Sequence, residues 1–296
     1  MTVLVSAVLP IVLVALAGLG VGYAFNPDLQ TLARVNIYAM LPALVLTSLG
    51  STTLALGSAI VIVVAFLLNT ALLYLLASGL GRVFKLGAEV RKSLIATTLF
   101  SNVGNMGLPF VLFSLGDAGL ERAVVYLVAS SLTISTVFPV ALKGTGVWHG
   151  VRFTLRLPVF WAALAGIELQ AGLGPLPPAI ERGAMLLGDG AIPTALLTLG
   201  IQLARTPLVF GVYELFAALL RLTVAPSMAY GIGRCLGLEG LDLQVLVLQA
   251  AMPVAVNSLI WVTELGGDRV RVARTIVLST LLSFATLPLV LWLVTR

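Results

Sequence analysis

The sequence predicts an all-α membrane protein of ten transmembrane helices, arranged as two inverted five-helix repeats with helices four and nine broken. Three observations carry this. Of 296 residues, 59% are hydrophobic and only 10% charged, with a mean hydropathy of +1.11, so the charges are too few to cover a soluble surface. Ten apolar segments of bilayer-crossing length can be laid out along the chain. The two halves also carry matching interruptions at matching separations.

Taken in order, segment one (3–25) has no Lys or Arg ahead of its apolar run and no small-residue cleavage site after it, so it reads as a retained span and not a signal peptide. Asn26-Pro27-Asp28 turns the chain into segment two (33–50), which contains Pro42-Ala43-Leu44-Val45-Leu46-Thr47. Segment three (54–80) is apolar almost throughout. Segment four (92–115) holds Ser101-Asn102-Val103-Gly104-Asn105-Met106-Gly107-Leu108-Pro109-Phe110, and segment five (120–142) runs from Arg122 through Ser130-Ser131 to Pro139. Segment six (156–173) stops at Gly174-Pro175-Leu176-Pro177-Pro178, and segment seven (182–204) contains Pro193-Thr194-Ala195-Leu196-Leu197-Thr198. Segments eight (208–236) and nine (241–264) follow, the ninth carrying Gln249-Ala250-Ala251-Met252-Pro253-Val254-Ala255-Val256-Asn257-Ser258. Segment ten (270–294) runs from Arg271 through Ser279-Thr280 to Pro288.

Segments two and seven match through their Pro-led strings, and segments five and ten through an Arg, a hydroxyl pair and a Pro at the same offsets. Pro42 and Pro139 are 97 residues apart, Pro193 and Pro288 95. Segments four and nine then correspond, each interrupted at mid-depth by Pro with Asn nearby. An odd number of spans per repeat inverts the second relative to the first. The domains are therefore 1–142, a short cytoplasmic linker 143–155, and 156–296. Twelve of the Lys and Arg fall in connections on one side and only Arg122, Arg182, Arg234 and Arg296 on the other. The positive-inside bias places both termini outside.

Several function classes are excluded. The net charge of +5 is spread through short connections with no basic patch for nucleic acid. The sole Cys, Cys235, is expected inside a span, and one His, His149, without a Cys or carboxylate cluster makes no metal site. Leu187-Gly188-Asp189-Gly190 lacks the first glycine of an intramembrane aspartyl protease motif, and Ser130 and Ser131 have no nearby base in sequence, so an enzyme is not expected. Gly18 and Gly22 are a weak dimerisation motif, more often local packing; a homodimer is a candidate assembly.

Irregular backbone survives at membrane depth only where protein or a water-filled cavity supplies partners, and broken helices of this kind build transporter binding sites. Their N-terminal half-helix ends present free N–H groups with partial positive charge, which favours a carboxylate-bearing substrate. Asn102, Asn105 and Asn257 can hold a carboxylate or cap the broken ends. Gly104 and Gly107 permit close backbone approach or helix packing. Among residues charged at membrane depth, Asp189 is the sharpest candidate for a proton carrier. Glu168 and Glu214 lie near enough to span ends to snorkel. Arg221 either pairs with a carboxylate or anchors a scaffold.

The string Asn102-Val103-Gly104-Asn105-Met106-Gly107-Leu108-Pro109, with Met252-Pro253-Val254-Ala255-Val256-Asn257, resembles the auxin efflux carrier family, which includes the plant PIN proteins and many bacterial permeases. Ala273-Arg274-Thr275-Ile276-Val277-Leu278-Ser279-Thr280, ending in Thr286-Leu287-Pro288, is similar to that family's last span. The resemblance implies the fold of the bile acid sodium symporters, in which helices four and nine cross where they unwind. It also implies a scaffold of helices 1, 2, 6 and 7 and a mobile transport domain of helices 3–5 and 8–10. The implied function is an elevator-type exporter or permease for small organic anions such as auxin-like or dicarboxylic acids, in a prokaryotic plasma membrane. The substrate would sit at the crossing, on Asn102, Asn105, Gly104, Pro109, Pro253 and Asn257. Gln249, Ser130, Ser131 and Thr133 lie where the sodium symporters place polar ligands, which makes them, with Asp189, the candidates for coupling to Na+ or H+. No carboxylate is placed among the hydroxyls and Gln249, and no other cofactor is expected. A passive anion channel and an intramembrane hydrolase are the rival readings.

Overall fold

The computed structural model describes residues 2–143, 147–206 and 209–296. Among these there is no strand; the chain is a succession of helices. They are α1 (Thr2–Ala24), α2 (Leu29–Gly50), α3 (Leu56–Val83), α4 (Ala88–Leu99), α5 (Leu108–Lys143), α6 (Val147–Thr154), α7 (Pro158–Glu168), α8 (Pro178–Arg205), α9 (Val212–Cys235), α10 (Gly240–Ala250), α11 (Ser258–Leu265) and α12 (Arg269–Val294). Five of them, α2, α3, α8, α9 and α12, are long and apolar enough to cross a membrane, and 8–24 of α1 and α10 are shorter apolar helices.

Proline shapes the long helices. Its ring crowds the carbonyl four residues back and it has no N–H to give, so a continuous α-helix cannot pass through it undisturbed. Three π turns, Asn36–Met40, Val103–Gly107 and Leu220–Val224, each end two residues before a proline: Pro42, Pro109 and Pro226. One extra residue in the turn makes room for the ring. Elsewhere glycine makes the breaks. Gly116 (φ 71°, ψ −167°) divides α5 into 108–115 and 117–143, and Gly172 and Gly174, both at positive φ, end the π turn Leu169–Leu173 that follows α7.

The packing places α1 against 191–205 of α8, and α2 against α7 and 178–189 of α8. The first contact is made through small residues. A Cβ on Gly18 would lie 2.2 Å from the Leu197 carbonyl oxygen, and one on Gly200 would lie 1.9 Å from that of Ala15. Gly18 therefore packs inside the chain. Gly166 and Gly188 play the same part against Leu49 and Leu44 of α2. The helix α3 packs against α4, α5 and 225–235, and α12 against 212–219, α10, α4 and α11. At one edge Arg122 forms an ion pair with Asp242, tying α5 to the first turn of α10, and the Glu121 carboxylate accepts hydrogen bonds from the Thr52 hydroxyl (2.6 Å) and the Thr53 N–H (3.2 Å).

Three details differ from expectation. The linker contains the helix α6, which lies so close to α5 that a Cβ on Gly150 would sit 2.6 Å from the Thr136 carbonyl oxygen; 144–146 fall outside the described residues. Cys235 is exposed at the last residue of α9. Glu214 does not snorkel: it is buried, and its carboxylate accepts the Gly211 N–H at 2.8 Å, capping α9.

Candidate functional site

Between α4 and 103–107, and again between α10 and α11, the backbone leaves helical geometry, and the two gaps meet. The Asn102 N–H donates to the Pro253 carbonyl at 2.8 Å, and the Ala255 N–H donates to the Phe100 carbonyl at 2.8 Å. Ser101 and Val254 form an antiparallel bridge between them. The Val254 N–H donates to the Ser279 hydroxyl of α12 at 3.1 Å. Each break thus supplies the hydrogen bonds that the other lost, which answers the cost of irregular backbone away from water. The crossing lies where two apolar clusters meet: Phe100, Leu220, Val254 and Ile276 belong to one, Val103, Met106 and Met252 to the other.

The C-terminal ends of α4 and α10 converge on one side chain. Arg221, in the π turn of α9, is 2% exposed. Its guanidinium donates to the carbonyls of Met252 (Nε, 3.0 Å), Thr98 (Nη1, 2.9 Å) and Ala250 (Nη2, 2.7 Å). The first sequence alternative for Arg221, a carboxylate partner, is not realised. No carboxylate among the described residues pairs with it; its acceptors are main-chain oxygens from both broken helices.

On the other side of the break, the Asn102 carbonyl accepts the N–H groups of Met106 (3.3 Å) and Gly107 (3.0 Å) and starts the turn Val103–Gly107. The Asn102 side chain makes no capping hydrogen bond, and its Nδ2, in a residue 4% exposed, has no partner. Gln249, in the last turn of α10, is 0% exposed and neither atom of its amide is paired. Its amide lies against Gly107, where a Cβ would come within 2.2 Å of Oε1. A Cβ at Gly107 therefore fits only if the Gln249 amide moves, whereas one on Gly104 would meet only Leu127 Cδ1, at an ordinary 3.5 Å.

The structure thus joins Asn102 to the Pro253 backbone, sets the Gln249 amide against Gly107, and ties Arg221 to the ends of both broken helices. Gly104 and Asn105 are half-buried and Pro109 is buried along the same half-helix, and Asn257 is exposed at the start of α11, again without a side-chain cap. Ser130 is buried, and Ser131 and Thr133 are half-buried on 117–143, where the Ser131 carbonyl accepts the Ser135 hydroxyl at 2.7 Å. Asp189 is exposed at the end of 178–189, a segment packed on α2, and takes no part in the crossing; Glu168 is likewise exposed. Arg221 is the residue the sequence reading left out of its site. Its signal was present, a charge ten residues into an apolar span, but carbonyl acceptors have no sequence signature.

The family described as membrane transport protein matches residues 3–147 and again 146–293. An uncharacterized transporter of Methanothermobacter thermautotrophicus is 31% identical over 98% of this chain and 95% of its own length. An uncharacterized transporter of Methanocaldococcus jannaschii is 26% identical over 89% of this chain and 88% of its own. A proposed malonate transporter of Rhizobium meliloti is 26% identical over 72% of each chain.

Proposed function

The chain belongs to the auxin efflux carrier family of membrane transport proteins and is a transporter, not an enzyme; from that premise we propose that it is a secondary carrier of small carboxylates, which bind at the crossing. The observation that carries this is the state of Asn102 and Gln249. A buried polar group without a partner costs roughly 1–3 kcal/mol, and here the Asn102 Nδ2 and both polar atoms of the Gln249 amide are such groups, carried by the two segments that the crossing joins. An anion accepting from Asn102 Nδ2 and Gln249 Nε2 would satisfy the two unpaired donors. The likeness to a proposed malonate transporter favours a small carboxylic acid as the occupant.

The finer architecture belongs to the same proposal. Two family matches of nearly equal length, the paired breaks and the matching Pro positions support ten spans in two inverted repeats. The tight packing of α1, α2, α7 and α8 supports a scaffold against which the remaining helices slide, as an elevator-type exporter or permease. The distribution of Lys and Arg supports a plasma-membrane protein with both termini outside.

Thermal unfolding of the purified protein against a panel of carboxylates, malonate first, at two pH values and with Na+ or K+, tests the reading. A ligand at a hundredfold its Kd stabilises by about 2.7 kcal/mol, so a clear rise in Tm is expected for at least one acid. If none raises it, the substrate class is wrong. Counterflow in proteoliposomes separates a carrier from a channel: labelled acid accumulates transiently against excess unlabelled acid inside only if one site alternates.

A further inference from the structure

We infer that Arg221 is a built-in cation of the crossing, holding the place that a dissociable coupling ion would otherwise fill, so that carboxylate binding needs no Na+. The inference rests on the crossing being the substrate site.

The charge balance is simple. The C-terminal end of a helix carries about −0.5 of an elementary charge and the N-terminal end about +0.5. Two broken helices therefore bring about −1 to the side where α4 and α10 end, and about +1 to the side where 103–115 and α11 begin. Arg221 answers the first side in full. Its three nitrogens each reach a carbonyl, one from the end of α4 and two from the end of α10, at 2.7–3.0 Å. A cluster of main-chain oxygens from two chain segments is also the chemistry that holds a hard monovalent cation, and here a guanidinium occupies it on a tether. What remains uncompensated is the N-terminal side, where Asn102 Nδ2 is unpaired and which the unpaired Gln249 amide reaches at Gly107, a site that lacks one negative charge and no positive one. The backbone supports the placement, since the π turn Leu220–Val224 carries Arg221 in the middle of a 24-residue apolar helix where a charge is costly. Arg221 is a positioning and charge-setting residue: it ties both half-helices together and fixes the sign of what the crossing accepts.

The test compares wild type, Arg221→Lys and Arg221→Gln in nanodiscs, with malonate as the probe, in NaCl or KCl of equal ionic strength. Wild type should melt at the same temperature in both salts, and its stabilisation by malonate should be the same in both. Arg221→Gln empties the carbonyl cluster; it should melt lower in KCl, recover part of the loss in NaCl, and bind malonate at least tenfold more weakly. Arg221→Lys keeps the charge and should keep the malonate response within severalfold. A wild type stabilised by Na+ over K+, or one whose malonate response requires Na+, overturns the inference, as does an Arg221→Gln protein that binds malonate as wild type does. Should Arg221→Gln fail to fold, the two-salt comparison on wild type and the retained response of Arg221→Lys decide the matter. Should wild type respond to no carboxylate, the substrate reading falls while the salt comparison still rules on Arg221.

Discussion

Two regions of this molecule bring backbones into close contact within the apolar interior, and they do so by opposite means. Where α1 meets α8, both helices stay whole; Gly18, Gly22 and Gly200 let them approach until a single added Cβ would overlap the opposing chain. Where the two breaks cross, helical hydrogen bonds are given up, replaced by bonds between the segments, and the local amides are left unmatched. The first contact keeps its helical hydrogen bonds, and the second leaves the Asn102 Nδ2 and the Gln249 amide unpaired. Close approach by itself therefore says nothing about function; the unmet hydrogen bonding of the crossing is what the proposed carboxylate site rests on.

Substitutions at the two regions should accordingly fail in different ways. The largest effect is expected for Gly200→Val, whose Cβ would fall 1.9 Å from the Ala15 carbonyl oxygen. Neither backbone can retreat alone, and overpacking of this kind costs about 3 kcal/mol or more. The protein should lose its monodisperse peak on size exclusion; if it keeps both peak and Tm, the contact is looser than described. Gln249→Leu should do the reverse. Replacing an unpaired buried amide by an apolar group of similar shape is close to neutral or stabilising, so Tm should hold or rise while malonate uptake falls at least tenfold. Unchanged uptake would move the site away from the crossing.

Gly107→Ala falls between these two. The new methyl would meet the Gln249 Oε1 at 2.2 Å, but that atom ends a flexible side chain and can swing away. Folding should survive with a Tm within a few degrees, and uptake should drop severalfold because the amide is displaced; a wild-type rate would show that its position is immaterial. The smallest effect is expected outside both regions, at Asp28, which caps α2 by accepting the Thr31 hydroxyl at 2.6 Å and the Gln30 N–H at 3.0 Å. These bonds, that of Thr31 foremost, hold its carboxyl below the ordinary aspartate value. A lowered pKa adds stability that is complete above the unfolded-state value of about 3.9 and is lost as pH falls through the folded one. Asp28→Asn should thus flatten the acid limb of a Tm against pH curve slightly; an unaltered limb would mean the cap contributes nothing measurable.

The sequence made one of the two regions far more legible than the other. Asn, Gly and Pro crowded into an apolar run announce a broken helix, and a second such run at a corresponding place announces its partner, so Asn102 and Pro253 could be named in advance. The π turns before Pro42, Pro109 and Pro226 could not be read in the same way, since Pro10 and Pro288 stand inside helices without one. The lining of Gly107 by Gln249, and the carbonyls taken by Arg221, could not be read, because they depend on how far α10 and α9 advance relative to α4, and every residue carries a carbonyl. The role of Gly18 against Leu197 was hidden for the same reason: small residues at helical spacing look alike whether their partner is within the chain or on another copy. Glu214 was misjudged because its distance from a span end was weighed and its spacing from Gly211, three residues earlier, was not.

The pairing of Asn102 with Pro253 and of Phe100 with Ala255 also has a meaning in time. About 150 residues separate the partners, and at a synthesis rate of 5–20 residues per second the first break waits roughly 8–30 s for the second to be made. Throughout that interval the Asn102 N–H lacks its native acceptor and the Phe100 carbonyl its native donor, in surroundings where each missing bond costs several kcal/mol. The first half of the chain is therefore an obligate client of whatever holds it, whether insertase, water or lipid headgroup, until its own second half arrives.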